Sequence, residues 1–193
     1  QLSAHIALIE KESWRDKAYR ELAKTYTYEG QEDKAIALIA KITSPDTKAM
    51  TIRGIGFAAA DSKWNKERYD ALFVKLAEES AKIDHPPAHG IALTYVAMAQ
   101  AFAGDDAGAT ETAKAMENDA LRRKAFGETA EIQAERGDYD AAAASIAHID
   151  DKVFRNKAYR VVSKIFVKKS MLDQAYDMAM KIDNAYLKAQ AMQ

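Results

Sequence analysis

The sequence predicts an all-α fold built from stacked helix pairs, and three observations carry that expectation. First, the chain repeats every 33 residues: Ile9, Ile42, Ile83, Met116, Ile149 and Ile182 stand in matching surroundings, at steps of 33, 41, 33, 33 and 33. Second, apolar residues inside each half-repeat recur at spacings of three and four, which places them on one face of a helix. Third, the halves are separated by a recurrent break, Gly30, Gly104-Asp105 and Gly137-Asp138, with Ser170 in the same place further on. Glycine there can take the left-handed conformation that ends a helix, and aspartate can cap the next one. Self-similarity at a period of ~20–50 residues marks units too small to bury their own apolar faces, which therefore stack.

The elements follow in order. Residues 1–9 align with the second helix of a preceding repeat, since Ile9 matches Ile42. The first full pair is 14–29, with Trp14, Ala18, Tyr19, Leu22, Ala23 and Tyr26 on its apolar face, and 32–42, with Ala35, Ile36, Leu38, Ile39 and Ile42. The same frame places pairs at 46–60 and 66–83, 88–103 and 106–116, 120–135 and 139–148, and 152–168 and 172–182. The second pair carries eight extra residues, assigned to the stretch Ser62–Arg68 and to a longer second helix. Pro45, Pro86 and Pro87 are expected between helices, where proline is tolerated. Residues 184–193 align with the opening of another first helix. The chain opens at Gln1, and the frame leads us to expect one repeat domain, 1–193, cut from a longer repeat protein.

Composition narrows the class. Apolar residues make up 48 % of the 193 and charged residues 30 %, the balance of a soluble, well-solvated chain. The 28 basic and 29 acidic residues nearly cancel, which argues against a nucleic-acid binder. The absence of cysteine excludes disulfides, thiolate catalysis and zinc–cysteine sites, and suits cytoplasm and periplasm alike. No apolar run reaches the ~18 uncharged residues of a membrane span.

Within the repeat, a small residue recurs as Ala23, Gly56, Ala97, Ala130 and Ser163, with a bulky apolar residue four before it at Tyr19, Ile52, Leu93, Phe126 and Tyr159. A second small position, early in the second helix, is Ala35, Ala71, Ala109, Ala142 and Ala175. Small residues let helix axes approach closely. This pattern resembles the tetratricopeptide repeat (TPR), a helix–turn–helix of ~34 residues. The chain departs from it in a period one residue shorter, in lacking the closing proline, and in keeping the late aromatic of the first helix only at Tyr26 and Phe166. The resemblance implies a right-handed α-solenoid of about five TPR-like pairs, with partial repeats at both ends.

In TPR-like folds the first helices line a concave groove. Carried onto this sequence, the groove stripe is Lys17, Arg20, Lys24 and Tyr28; then Met50, Arg53 and Phe57; then Ile91, Thr94, Met98 and Phe102; then Lys124, Gly127, Glu131 and Glu135; then Lys157, Arg160, Lys164 and Lys168. Between Lys152 and Lys169 stand seven basic residues and no acidic one. An unpaired basic stripe calls for carboxylates or phosphates, while Phe57, Met98 and Phe102 offer apolar anchors. The expected partner is a protein or peptide segment with acidic and apolar residues. The C-terminal-carboxylate grip of chaperone adaptors is not expected, because Phe57 and Ile91 stand where polar clamp residues are needed.

No catalytic, cofactor or metal site is expected. His85 and His89 are separated by two prolines, and no phosphate loop, nucleophile elbow or His-Glu motif occurs. The expected function is therefore a protein–protein interaction scaffold without enzymatic activity. The alternatives are a regulatory or substrate-docking domain of a larger enzyme, an RNA-binding helical-repeat array, and an array that joins copies of itself through its end helices.

Overall fold

The computed structural model describes residues 2–192, and these form twelve α-helices with no strand among them. The helices are α1 (Leu2–Ala7), α2 (Glu12–Tyr28), α3 (Glu32–Ile39), α4 (Pro45–Asp61), α5 (Lys66–Ala81), α6 (Pro86–Ala103), α7 (Asp106–Lys114), α8 (Asp119–Glu135), α9 (Tyr139–Ala147), α10 (Lys152–Lys168), α11 (Leu172–Met180) and α12 (Ala185–Ala191). From α1 to α11 long and short helices alternate except at α5, which is nearly as long as its neighbours. The second helix of each pair stops one to three residues short of its expected end. Among the described residues no helix is long and apolar enough to cross a membrane. The chain divides into two compact units, 1–105 and 106–193.

In the first unit α2 packs on α3 and on α4, and α4 on α5 and α6. The small residue Gly56 explains the closeness of α4 and α6: a Cβ added there would lie 2.7 Å from Cβ of Ala99. In the second unit α8 packs on α7, α9 and α10, and α10 on α9, α11 and α12. The contact residues Ala23, Gly56, Ala97, Ala130 and Ser163 are all buried.

The breaks are set by backbone conformation. Gly30, Gly104 and Gly137 have φ of 70°, 85° and 80°, and two residues with side chains, Lys63 at 52° and Ser170 at 59°, adopt the same left-handed state. At four of the five turns the next residue closes the helix end by donating five residues back: Gln31 to Tyr26, Asp105 to Gln100, Asp138 to Gln133 and Met171 to Phe166, at 2.8–2.9 Å. After Lys63 the N–H of Trp64 instead donates to the Tyr69 hydroxyl, 2.8 Å away. The eight extra residues thus build a separate closure. Trp64, Tyr69 and Phe73 stack in sequence, and Arg68 lies 3.7 Å from the Trp64 ring while its guanidinium bonds both Glu32 oxygens.

Three sequence expectations are corrected. Pro45, Pro86 and Pro87 lie within the first turns of α4 and α6, where the absent N–H has no helical partner to lose. Trp14 is 64 % exposed, with the Lys11 ammonium over its ring. On α5 the register is shifted by one: Ala71 is exposed and Leu72 is buried. The ladder residues Ile42, Ile83, Met116, Ile149 and Ile182 are buried but sit just past the second helix of each pair.

The junctions use recurrent polar closures. Arg15, Arg122 and Arg155 each donate to the carbonyl six residues back, on Ile9, Met116 and Ile149, at 2.9–3.1 Å. These carbonyls lie in the loops, two residues past the short helices α1, α7 and α9. Buried Asp16 accepts from the N–H of Thr43 and Ser44, and buried Asn156 from Asp183. Gln133 stands where the TPR pattern carries an aromatic residue. It is fully buried and satisfied, donating to Asp106 at 2.8 Å and accepting from the Ser145 hydroxyl at 2.7 Å.

Candidate functional site

Each unit carries a cleft between successive long helices. In the first unit a cleft of about 600 Å³ is lined by Arg20, Glu21, Lys24 and Tyr28 of α2, by Met50, Arg53, Gly54, Phe57, Ala58, Ala60 and Asp61 of α4, and by Phe102 of α6. The periodicity of α2 and α4 turns these residues outward, because their opposite faces are committed to Tyr19, Leu22 and Ala23 and to Ile52, Ile55 and Gly56.

The charges of this cleft are unequally engaged. Arg20 is bound to Glu21 at 2.8 Å, and the Tyr28 hydroxyl donates to Asp61 at 3.4 Å. Burial, then Asp61, push the Tyr28 hydroxyl's pKa up. Lys24 lies 6.0 Å from the Tyr28 ring. The Arg53 guanidinium lies 4.5 Å from the Phe57 ring centre and 5.6 Å from that of Tyr95, and among the described residues no carboxylate pairs with it. Phe57 meets Phe102 edge-on, with ring centres 4.9 Å apart, and Phe102 is 47 % exposed.

In the second unit a cleft of about 360 Å³ lies between α8 and α10, lined by Leu121, Arg123, Lys124, Gly127, Glu128 and Glu131 and by Ile149, Phe154, Lys157, Ala158 and Val161, with Ala120. Arg123 is tied to Asp150 at 2.6 Å, which holds the Asp150 carboxyl below its ordinary range. Burial first, then Glu128 and Glu135, push the Glu131 pKa up, against the opposing pull of Lys157.

The structure thus gathers eleven of the stripe residues into the two clefts: Arg20, Lys24, Tyr28, Met50, Arg53, Phe57 and Phe102 in one, and Lys124, Gly127, Glu131 and Lys157 in the other. Lys17 is exposed on α2 outside the first cleft, and Met98 is partly buried on α6 outside it. Lys164 and Lys168 are exposed on α10, and Arg160 donates to Gln190 while its Nε is buried without a partner. Thr94, placed in the stripe by its spacing, is buried and donates to the Gly90 carbonyl. Sequence reasoning missed Tyr95, which packs on Arg53. Its signal was only its place on α6, one residue after the groove stripe.

Among the described residues no group of three or more metal-ligating side chains converges. In comparisons with known proteins, no family model matches this chain, and neither does a curated protein or a solved structure.

Proposed function

We propose that this chain is a right-handed α-solenoid of about five TPR-like helix pairs, acting as a protein-interaction scaffold with no reaction of its own. It holds a segment of a partner protein against its long helices. The observation that carries this reading is the first-unit cleft, where outward residues of α2 and α4 combine unpaired cations with the half-exposed Phe57–Phe102 pair. The left-handed residue recurring at 30, 63, 104, 137 and 170 supports the helix-pair frame behind the reading. Exposed ion pairs contribute only ~0.2–1 kcal/mol each, so the aromatic pair supplies most of the affinity and the cations supply orientation and encounter rate.

The test is affinity capture with wild type beside Lys24→Glu/Phe102→Ala. The expected outcome is a partner retained by the wild type and lost by the variant, with unchanged helix content by circular dichroism. A partner held equally by both would remove the first-unit cleft from the reading.

A further inference from the structure

We propose that the first-unit cleft recognises an internal glutamate or aspartate side chain of a peptide segment, its carboxylate seated on Arg53 and a neighbouring apolar side chain seated on Phe57 and Phe102. This rests on the reading of the chain as an interaction scaffold. Phe57 and Tyr95 lie within cation–π distance of the Arg53 guanidinium, and they restrain its plane. The Tyr95 hydroxyl is itself directed at the Met50 sulfur, 3.5 Å away, and Phe57 is braced by Phe102. A guanidinium held in this way keeps the in-plane fork that matches the two oxygens of a carboxylate.

The surrounding charges favour the same occupant. Of the two acidic residues of the cleft, Glu21 is paired with Arg20, while Asp61 accepts from the Tyr28 hydroxyl and keeps its charge. Lys24 and Arg53 form no ion pair among the described residues, so against Asp61 the cleft keeps an excess of one positive charge. Its wall of Met50, Phe57, Ala58 and Phe102 needs an apolar companion beside the anion. A peptide with acidic and apolar side chains in sequence supplies both.

The experiment titrates the full chain with an acetylated, amidated peptide Gly-Glu-Glu-Leu-Phe-Gly, read by calorimetry and by amide chemical shifts. Expected are shifts centred on Arg53, Phe57 and Phe102, and about tenfold weaker binding when both glutamates become glutamine. Arg53→Lys keeps the charge but loses the fork, and should weaken binding about tenfold as well. Phe102→Ala, at an exposed ring, provides a second variant that keeps the fold and should speed dissociation. Equal binding of the glutamate and glutamine peptides, or wild-type binding by Arg53→Lys, would overturn the proposal. So would binding that requires a free C-terminal carboxylate, or binding of a phosphoserine peptide but not the glutamate one. A partner protein that binds Arg53→Lys normally but is lost on Lys157→Glu/Lys164→Glu would leave the scaffold reading standing and sink this site.

Discussion

The clefts of the two units overlap in the repeat frame, the second lying about a turn nearer the helix starts, and they carry different chemistry. In the repeat frame Lys24 corresponds to Glu131, whereas Arg160 and Lys164, the counterparts of Arg53 and Phe57, lie outside the second cleft. The first unit therefore presents an aromatic-braced guanidinium and an ammonium, with Glu21 paired to Arg20. The second presents a partly buried carboxylate among lysines, with Arg123 neutralised by Asp150. The backbone frame is shared while the outward positions vary independently. Packing constrains only the inward residues, so outward ones can diverge without disturbing the helices. A ligand suited to one cleft is therefore poorly suited to the other.

The comparison can be broken most severely from beneath. Gly56→Ala puts a methyl group 2.7 Å from Ala99 in the first unit, and Ala130→Leu overfills the corresponding contact in the second. Each should cost ~1–3 kcal/mol, read as a lower denaturation midpoint. If the units are independent in their chemistry, each substitution should disturb amide shifts in its own cleft first. A smaller effect, of about 0.5–1 kcal/mol and opposite sign, is expected where the left-handed turn carries a side chain. Lys63→Gly in the first unit and Ser170→Gly in the second should stabilise, while Gly30→Ala and Gly137→Ala should destabilise by about 1 kcal/mol. Urea melts of the four variants check the signs as a set.

The smallest effect concerns pH. The Glu131 carboxyl is raised by burial, so the native state holds that proton more tightly than the unfolded chain does. Its contribution to stability is complete below the ordinary glutamate range and is lost as pH rises through the raised native value. Glu131→Gln removes this dependence. The difference in melting temperature between wild type and variant should change across that window in the direction of a relatively weaker wild type at higher pH. A constant difference from acid to neutral pH would show that Glu131 is more solvated than its surroundings imply.

Much of the fold was legible because helical periodicity and the turn glycines are local signals. The bounds of α2, α6, α8 and α10 fall within two residues of those expected from spacing. What escaped depends on neighbours distant in sequence or on backbone strain that residue type conceals. Lys63 occupies a left-handed turn that composition does not advertise, and the α5 register shifted because the eight added residues built a turn closed by Tyr69. Trp14 looked inward by spacing and faces solvent. Of the site, the stripe placed Arg53 and Phe57 side by side. The partner ring of Tyr95, and the capture of Arg123 by Asp150 across 27 positions, lay beyond any local pattern.

The arginines at 15, 122 and 155 have a consequence for how the chain is made. Each reaches back only six residues to fasten the loop that follows the short helix before it. A short helix emerging from the ribosome therefore waits less than two turns of further synthesis for the loop behind it to be fastened. Contacts this close in sequence form quickly and need little search. The order of translation can thus be the order of assembly, each newly made long helix locking the one just completed before the next begins.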